Sequence, residues 1–215
     1  MPMPEITQKL IPVPSQRRSG QKILGVRFLV AHDTGNDSST ANGNASYFIN
    51  SANDMQASAH YFVDDKQIVC SVPETEKAWH VRYDVPKDNQ LYGKDANDFA
   101  LGIELCYSTK GTINNELSYK NYVELMASLC KKYGLDPAKD IVGHNTLDPA
   151  RRTDPLNAFK VMGKTWDGFI AAVVSAMSPV TPPTSPSPVP ASNTAIVDEI
   201  RTHMTAIDTL LGKIK

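Results

Sequence analysis

ILGVRFLVAH, residues 23–32, decides how this chain folds: side chains are almost continuously apolar through residues 23–31 and the run ends on His32, followed by Asp33-Thr34-Gly35. An apolar stretch of that length closed by a turn signal reads as a strand buried on both faces, the kind found in sheets covered by helices. A histidine at the end of such a strand stands where loops carry chemistry on a rigid scaffold. The segment GHNTLDPARRTDP, residues 143–155, repeats the arrangement, because Ile141-Val142-Gly143 leads into His144 and a proline-containing loop runs on to Asp154. Two imidazoles and one carboxylate suit a catalytic Zn²⁺, since three protein ligands leave a fourth position for water. His32, His144 and Asp154 are therefore the candidate metal ligands, and the chemistry they point to is hydrolysis. Taken singly, each histidine also has a structural reading as a hydrogen-bonded core residue. The spacing from His144 to Asp154 is looser than that of a zinc finger.

Working outward, the chain alternates strand and helix patterns. A short helix is expected at residues 44–51, a hairpin from residues 59–64 and 67–72 around Asp65-Lys66, and another buried strand at residues 99–107. Leu117, Tyr122, Met126, Leu129 and Tyr133 recur at helical intervals, and Gly134 marks the stop. Residues 141–143 read as a short strand. Residues 164–177 read as a helix whose inward stripe is Trp166, Phe169, Ile170 and Val173. The fold class expected is α/β, with a central mixed β-sheet flanked by helices.

Composition excludes several partners. At 215 residues and 41% hydrophobic the chain can bury a sizeable core in one main domain. A formal net charge of −1 gives nucleic acid or an anionic membrane no electrostatic footing. No apolar stretch approaches the roughly 18 residues of a spanning helix, so no membrane partner is expected. Residues 1–20, MPMPEITQKLIPVPSQRRSG, carry proline and charge where a secretory signal needs an apolar core of about 7–15 residues, so synthesis without an export signal is expected. Cys70, Cys106 and Cys130 are odd in number, lie in apolar contexts and form no CxxC pair; buried free thiols of a reducing compartment are expected.

Five ordered runs carry a family likeness: FLVAHDTG (residues 28–35), SAHYFVDD (58–65), AWHV (78–81), LGIELCYS (101–108) and GHNTLDPARRTDP (143–155). Together, over roughly residues 20–175, the chain resembles the zinc-dependent N-acetylmuramoyl-L-alanine amidases. That family includes phage endolysins, bacterial wall and recycling amidases, and the animal peptidoglycan recognition proteins. The resemblance implies Zn²⁺ on His32, His144 and Asp154 and a general base at Glu104. Alternation along the strand supports the second role, because Glu104 sits between Ile103 and Leu105 and so projects to the opposite face from both. The competing reading is an exposed glutamate on a polar face. Arg152, two residues before Asp154, is implied as the positive group near the oxyanion, where many relatives carry lysine. Arginine spreads its charge across a planar fork, which also suits a substrate carboxylate, and Arg151 is the other candidate for the exposed partner of the pair. His80 and Trp79 match residues near the substrate, with packing an equal reading for Trp79. His60 coincides with a family histidine too, and its place in a hairpin strand favours a supporting role. Some relatives place a tyrosine just before it, where this chain has Ala59.

The substrate so implied is peptidoglycan, and the reaction is hydrolysis of the amide between the lactyl group of N-acetylmuramic acid and L-alanine. The expected setting is a phage or prophage endolysin, made in the host cytoplasm and acting on the cell wall after release. Two alternatives stay open: an intracellular recycling amidase acting on soluble muropeptides, and a non-catalytic peptidoglycan-recognition module. The joint presence of His32, His144, Asp154 and Glu104 speaks against the second.

The catalytic domain is expected to span residues 1–177. Residues 178–192, SPVTPPTSPSPVPAS, hold six prolines and read as a semi-extended spacer. Beyond it, in residues 193–215, Val197, Ile200, Met204, Ile207, Leu211 and Ile214 follow an a/d heptad, with His203 on its flank and outside the chemistry. A lone helix of about 20 residues is marginal in water and must bury its stripe. It packs on its own domain, self-associates through residues 196–214 as a homo-oligomer, or attaches to the wall, although it lacks an aromatic-rich sugar-binding character.

Overall fold

Six strands form a single mixed sheet in a computed structural model that describes residues 3–51, 55–178, 197–198, 200–201 and 203–205. They are β1 (Ile6–Gln8), β2 (Phe28–Asp33), β3 (Tyr61–Val63), β4 (Ile68–Cys70), β5 (Ala100–Leu105) and β6 (Ile141–Gly143), in the order β1-β4-β3-β5-β2-β6. The β3–β4 hairpin is antiparallel and the other pairings are parallel. The helices are α1 (Ala41–Asn50), α2 (Lys87–Tyr92), α3 (Ala96–Phe99), α4 (Asn115–Tyr133), α5 (Pro137–Asp140), α6 (His144–Leu147), α7 (Leu156–Met162) and α8 (Trp166–Met177). The chain divides into two compact units, Met1–Ser178 and Pro179–Lys215.

The apolar run at residues 23–31 becomes strand only from Phe28 and continues through His32 to Asp33. Gly25 takes φ +121°, a backbone conformation open to glycine, and Leu24 is exposed, so the first residues of the run approach the sheet irregularly. Along β2 the side chains alternate between two covered faces. Leu29 and Ala31 enter the main core with Leu101, Ile103 and Leu105 of β5, beneath Tyr122, Met126 and Phe169. Phe28 and Val30 enter a second cluster with Ala100, Val142, Ala96 and Leu147.

Caps explain where helix boundaries depart from the apolar periodicity, because an N-cap lies outside the hydrophobic stripe. Thr40 accepts from Gly43 N and starts α1 three residues before the expected position; Asn114 caps α4 by accepting from Leu117 N, and Thr165 caps α8 by accepting from Gly168 N. The hairpin turn is held by Asp64 Oδ1, which accepts from Lys66 N and Gln67 N, each at 2.8 Å. Tyr122 of α4, fully buried, donates to the backbone between β2 and β5, 3.3 Å from His32 O and 3.2 Å from Ile103 O. Phe169 is fully buried among Tyr122, Phe159 and Trp166, with ring centroids 5.5, 5.2 and 5.6 Å away. Phe169→Ala is expected to cost about 3–5 kcal/mol of stability. Urea unfolding measures it, and a loss under about 1 kcal/mol would mean that α8 contributes little to this core.

The three cysteines are buried and unbridged. Among the described residues, no helix is long and apolar enough to cross a membrane. In the second unit the described residues from Val197 onward are helical, and Val197, Ile200 and Met204 are exposed. Residues 179–192 of the expected spacer and Ile207, Leu211 and Ile214 of the heptad lie outside the described residues.

Candidate active site

Parallel register makes His32 and Glu104 neighbours: they face each other on β2 and β5, so both project from the face opposite the main core. His144 is the first residue of α6, directly after β6, which pairs with β2 on its other side. Asp154 comes from the loop before α7, and that loop is fixed at two points. Its carbonyl accepts from Asn145 N at 2.8 Å. Asp33, at the end of β2, accepts from Ala158 N at 3.1 Å and from Asn157 Nδ2 at 3.4 Å, tying the start of α7 to the strand that carries His32. A Cβ on Gly143 would lie 2.3 Å from Asn145 Oδ1 and 3.1 Å from Pro155 Cδ, so a side chain there would force the Asn145 amide to move and crowd Pro155.

The outcome is a tight triad. Asp154 Oδ2 lies 3.0 Å from His32 Nδ1 and 3.0 Å from His144 Nδ1, and one donor atom from each of the three residues falls within 4.8 Å of the others. Among the described residues this is the single such cluster of histidine, cysteine or carboxylate groups. All three are buried or nearly so. Burial chiefly, with the nearby His144, lowers the His32 pKa to about 4 despite the carboxylate beside it, so its ring is neutral at neutral pH and has a lone pair to offer. Burial raises the Asp154 carboxyl, yet the two imidazoles outweigh it and hold the group well below the ordinary carboxylate range. Two imidazole nitrogens and one carboxylate oxygen, converging and shielded, fit Zn²⁺.

Glu104 has the opposite electrostatics. Its Oε2 is buried without a hydrogen-bond partner. Burial first, then the charges of Asp154 and Asp33, push its pKa well above the ordinary value, with Arg152 opposing. A carboxylate so placed is a stronger base than one in water. His32, Glu104, His144 and Asp154 open on a cavity of about 600 Å³, which Met55, Trp79 and Arg82 also line. Arg151 is held by an ion pair with the buried Asp148, whereas the exposed Arg152 side chain makes no hydrogen bond or ion pair with another described residue and lines the cavity. Arg151 lines the cavity as well, so the two arginines differ in that Arg151 alone is paired.

The structure brings Trp79 and His80 to the same cavity, but not His60. His60, expected near the substrate, is fully buried: its Nδ1 accepts from Gly102 N at 3.0 Å and its Nε2 donates to Glu76 O at 3.0 Å. Both nitrogens are spent on backbone, and the ring packs against His80. Residues that the motifs did not single out complete the site. Asn97 accepts from His80 N and Val81 N through one oxygen, each at 3.0 Å, and so fixes the backbone of AWHV; Asp33 and Asp148 fix the two loops.

Burial lowers the His60 pKa from 6.5 to about 4, the carbonyl of Glu76 opposing less strongly. With the folded value below the unfolded one, the unfolded chain takes up the proton first. The contribution is therefore complete above about pH 6.5 and is lost as the pH falls toward 4, about 3 kcal/mol over that interval. Urea midpoints at pH 7 and pH 4.5 should fall more steeply for the wild type than for His60→Gln; parallel losses would contradict the assignment.

Comparison with known proteins identifies the family. The family model described as N-acetylmuramoyl-L-alanine amidase matches residues 20–157. The N-acetylmuramoyl-L-alanine amidase BlyA of Bacillus subtilis (strain 168) is 33% identical over 150 residues, covering 66% of this chain and 40% of that protein. A probable N-acetylmuramoyl-L-alanine amidase of Bacillus licheniformis is 35% identical over 148 residues, again covering 66% of this chain and 40% of its own length. This chain thus spans well under half of either relative. Among solved structures, a mutant endolysin from Bacillus subtilis superposes with a TM-score of 0.63 at 25% identity, covering 80% of this chain and 99% of that one. The matched residues include His32, Glu104, His144 and Asp154, and on that match the chain belongs to the N-acetylmuramoyl-L-alanine amidase family.

Proposed function

We propose that the protein is a zinc-dependent hydrolase that cleaves the amide between N-acetylmuramic acid and L-alanine in peptidoglycan. The observation that carries this reading is the convergence of His32, His144 and Asp154 on one point at the floor of a cleft, with Glu104 in register beside His32. His32, His144 and Asp154 would hold the metal. Zn²⁺, when bound, supplies Lewis acidity that polarises the scissile carbonyl and acidifies water.

The chain's own groups do the rest. Glu104 accepts a proton from the attacking water at its buried carboxylate and returns it to the leaving amine of L-alanine, and its raised proton affinity favours the first transfer. Arg152 presents its guanidinium to the charge that develops on the carbonyl oxygen, or holds a stem-peptide carboxylate in the fork geometry that arginine provides. Trp79 forms part of the wall against which the substrate lies.

The setting we propose is that of an endolysin acting on the cell wall, with residues 1–177 catalytic, residues 178–192 a spacer and residues 193–215 a helical element. Exposure of Val197, Ile200 and Met204 supports self-association through residues 196–214. Incubating purified sacculi with the protein tests the reaction. New free L-alanine amino termini, abolished by a chelator and restored by zinc, are expected. Release of reducing sugar ends without those termini would overturn the assigned bond, and faster turnover of soluble muropeptides than of sacculi would overturn the endolysin setting.

A further inference from the structure

The ligand His32 is backed by a column of buried imidazoles. Its Nε2 lies 3.1 Å from His80 Nδ1, and the two rings meet edge to face with centroids 5.3 Å apart. His60 packs on the other side of His80, with centroids 5.8 Å apart. His60 is immobilised in turn: Gly102 N donates to its Nδ1, and its Nε2 donates to the carbonyl of Glu76. The Glu76 side chain receives Arg18 Nε at 2.8 Å and Nη2 at 3.1 Å in a buried pair, while Arg18 Nη1 donates to Ile11 O at 2.7 Å. Arg18 precedes the residues matched by the family model, so the outer end of the column is anchored by a part of the chain that the match does not reach. Space for the column exists because residue 102 is glycine: a Cβ there would lie 2.5 Å from His80 Cγ and 2.7 Å from His80 Nδ1.

A histidine that binds a metal through one nitrogen usually donates the other N–H to a fixed acceptor, which sets its tautomer and ring orientation; the common acceptors are carboxylates, carbonyls and water. Here the atom at that place is a second imidazole. We infer that His80, braced by His60, is a positioning residue for His32: its Nδ1 accepts the Nε2–H of His32 and so presents His32 Nδ1, the nitrogen beside Asp154, to the cation. This rests on the zinc-site reading above and assigns His80 a task distinct from contact with substrate.

Competition with a chromophoric chelator measures zinc affinity directly, without turnover. His80→Leu, which removes the acceptor, is expected to weaken zinc binding about 10–100-fold, the usual cost of losing such a partner. His80→Asn, whose side-chain oxygen sits near the position of Nδ1, should recover most of that loss. Equal affinity of the wild type and His80→Leu would overturn the positioning role, as would an equal loss in both variants, which would mark His80 as packing alone. Nitrogen-15 NMR of the zinc-loaded wild type gives an answer that does not depend on a variant folding: His32 protonated at Nε2 with a coupling to His80 Nδ1 is expected, and His32 protonated at Nδ1 would overturn the inference. A wild type that binds no zinc would sink the site reading itself, whereas a zinc-binding wild type with an indifferent His80→Leu sinks only the positioning role.

Discussion

Glu104→Gln is expected to slow amide cleavage about 10²–10⁴-fold, the range supplied by a positioned general base, while zinc affinity stays at the wild-type value. Glutamine keeps the shape and removes the proton acceptor. It also removes a carboxyl whose ionisation is opposed by burial, by Asp154 and by Asp33, so stability should hold or rise. Counting free L-alanine termini released from sacculi, together with a urea midpoint, separates the two effects. A variant that keeps more than about a tenth of wild-type turnover would remove Glu104 from this role.

Asp154→Ala should have the larger structural consequence. One oxygen of Asp154 serves both His32 Nδ1 and His144 Nδ1 at 3.0 Å, so alanine leaves two buried imidazoles without their shared acceptor. In the metal-free protein, each buried Nδ1–H left unpaired costs about 1–3 kcal/mol. Zinc affinity should fall by more than about 100-fold, beyond what loss of a supporting partner produces, and cleavage should fall to background. Isothermal titration with zinc and urea unfolding measure both. A variant that still binds zinc with wild-type affinity would show that the carboxylate is not a ligand.

What was legible beforehand was local. The run ending in His32, the Asp65-Lys66 turn and the stripe of residues 117–133 announce themselves through periodicity and turn chemistry, which act over a few residues. Alternation around Glu104 predicted its face, and register with β2 then placed it beside His32. The expected strand at residues 23–31 lost its first part because Gly25 turns the backbone, a conformational effect that hydrophobicity does not encode. β1 escaped notice because Ile6–Gln8 is short and exposed, and exists as a strand only through its pairing with β4. His60 and His80 look alike in sequence, each following an alanine or tryptophan in a motif. Their different tasks come from partners far away in the chain: Gly102 and Glu76 for one, His32 and Asn97 for the other. Asp33 was similarly opaque, because its bond to Ala158 spans 125 residues.

The central claim is that two imidazoles and one carboxylate share a single cation, and zinc K-edge X-ray absorption of the loaded protein tests it most directly. The account predicts a first shell of nitrogen and oxygen at about 2.0–2.2 Å, with outer-shell scattering from two imidazole rings. A sulfur neighbour at about 2.3 Å, or a shell without imidazole scattering, would contradict it.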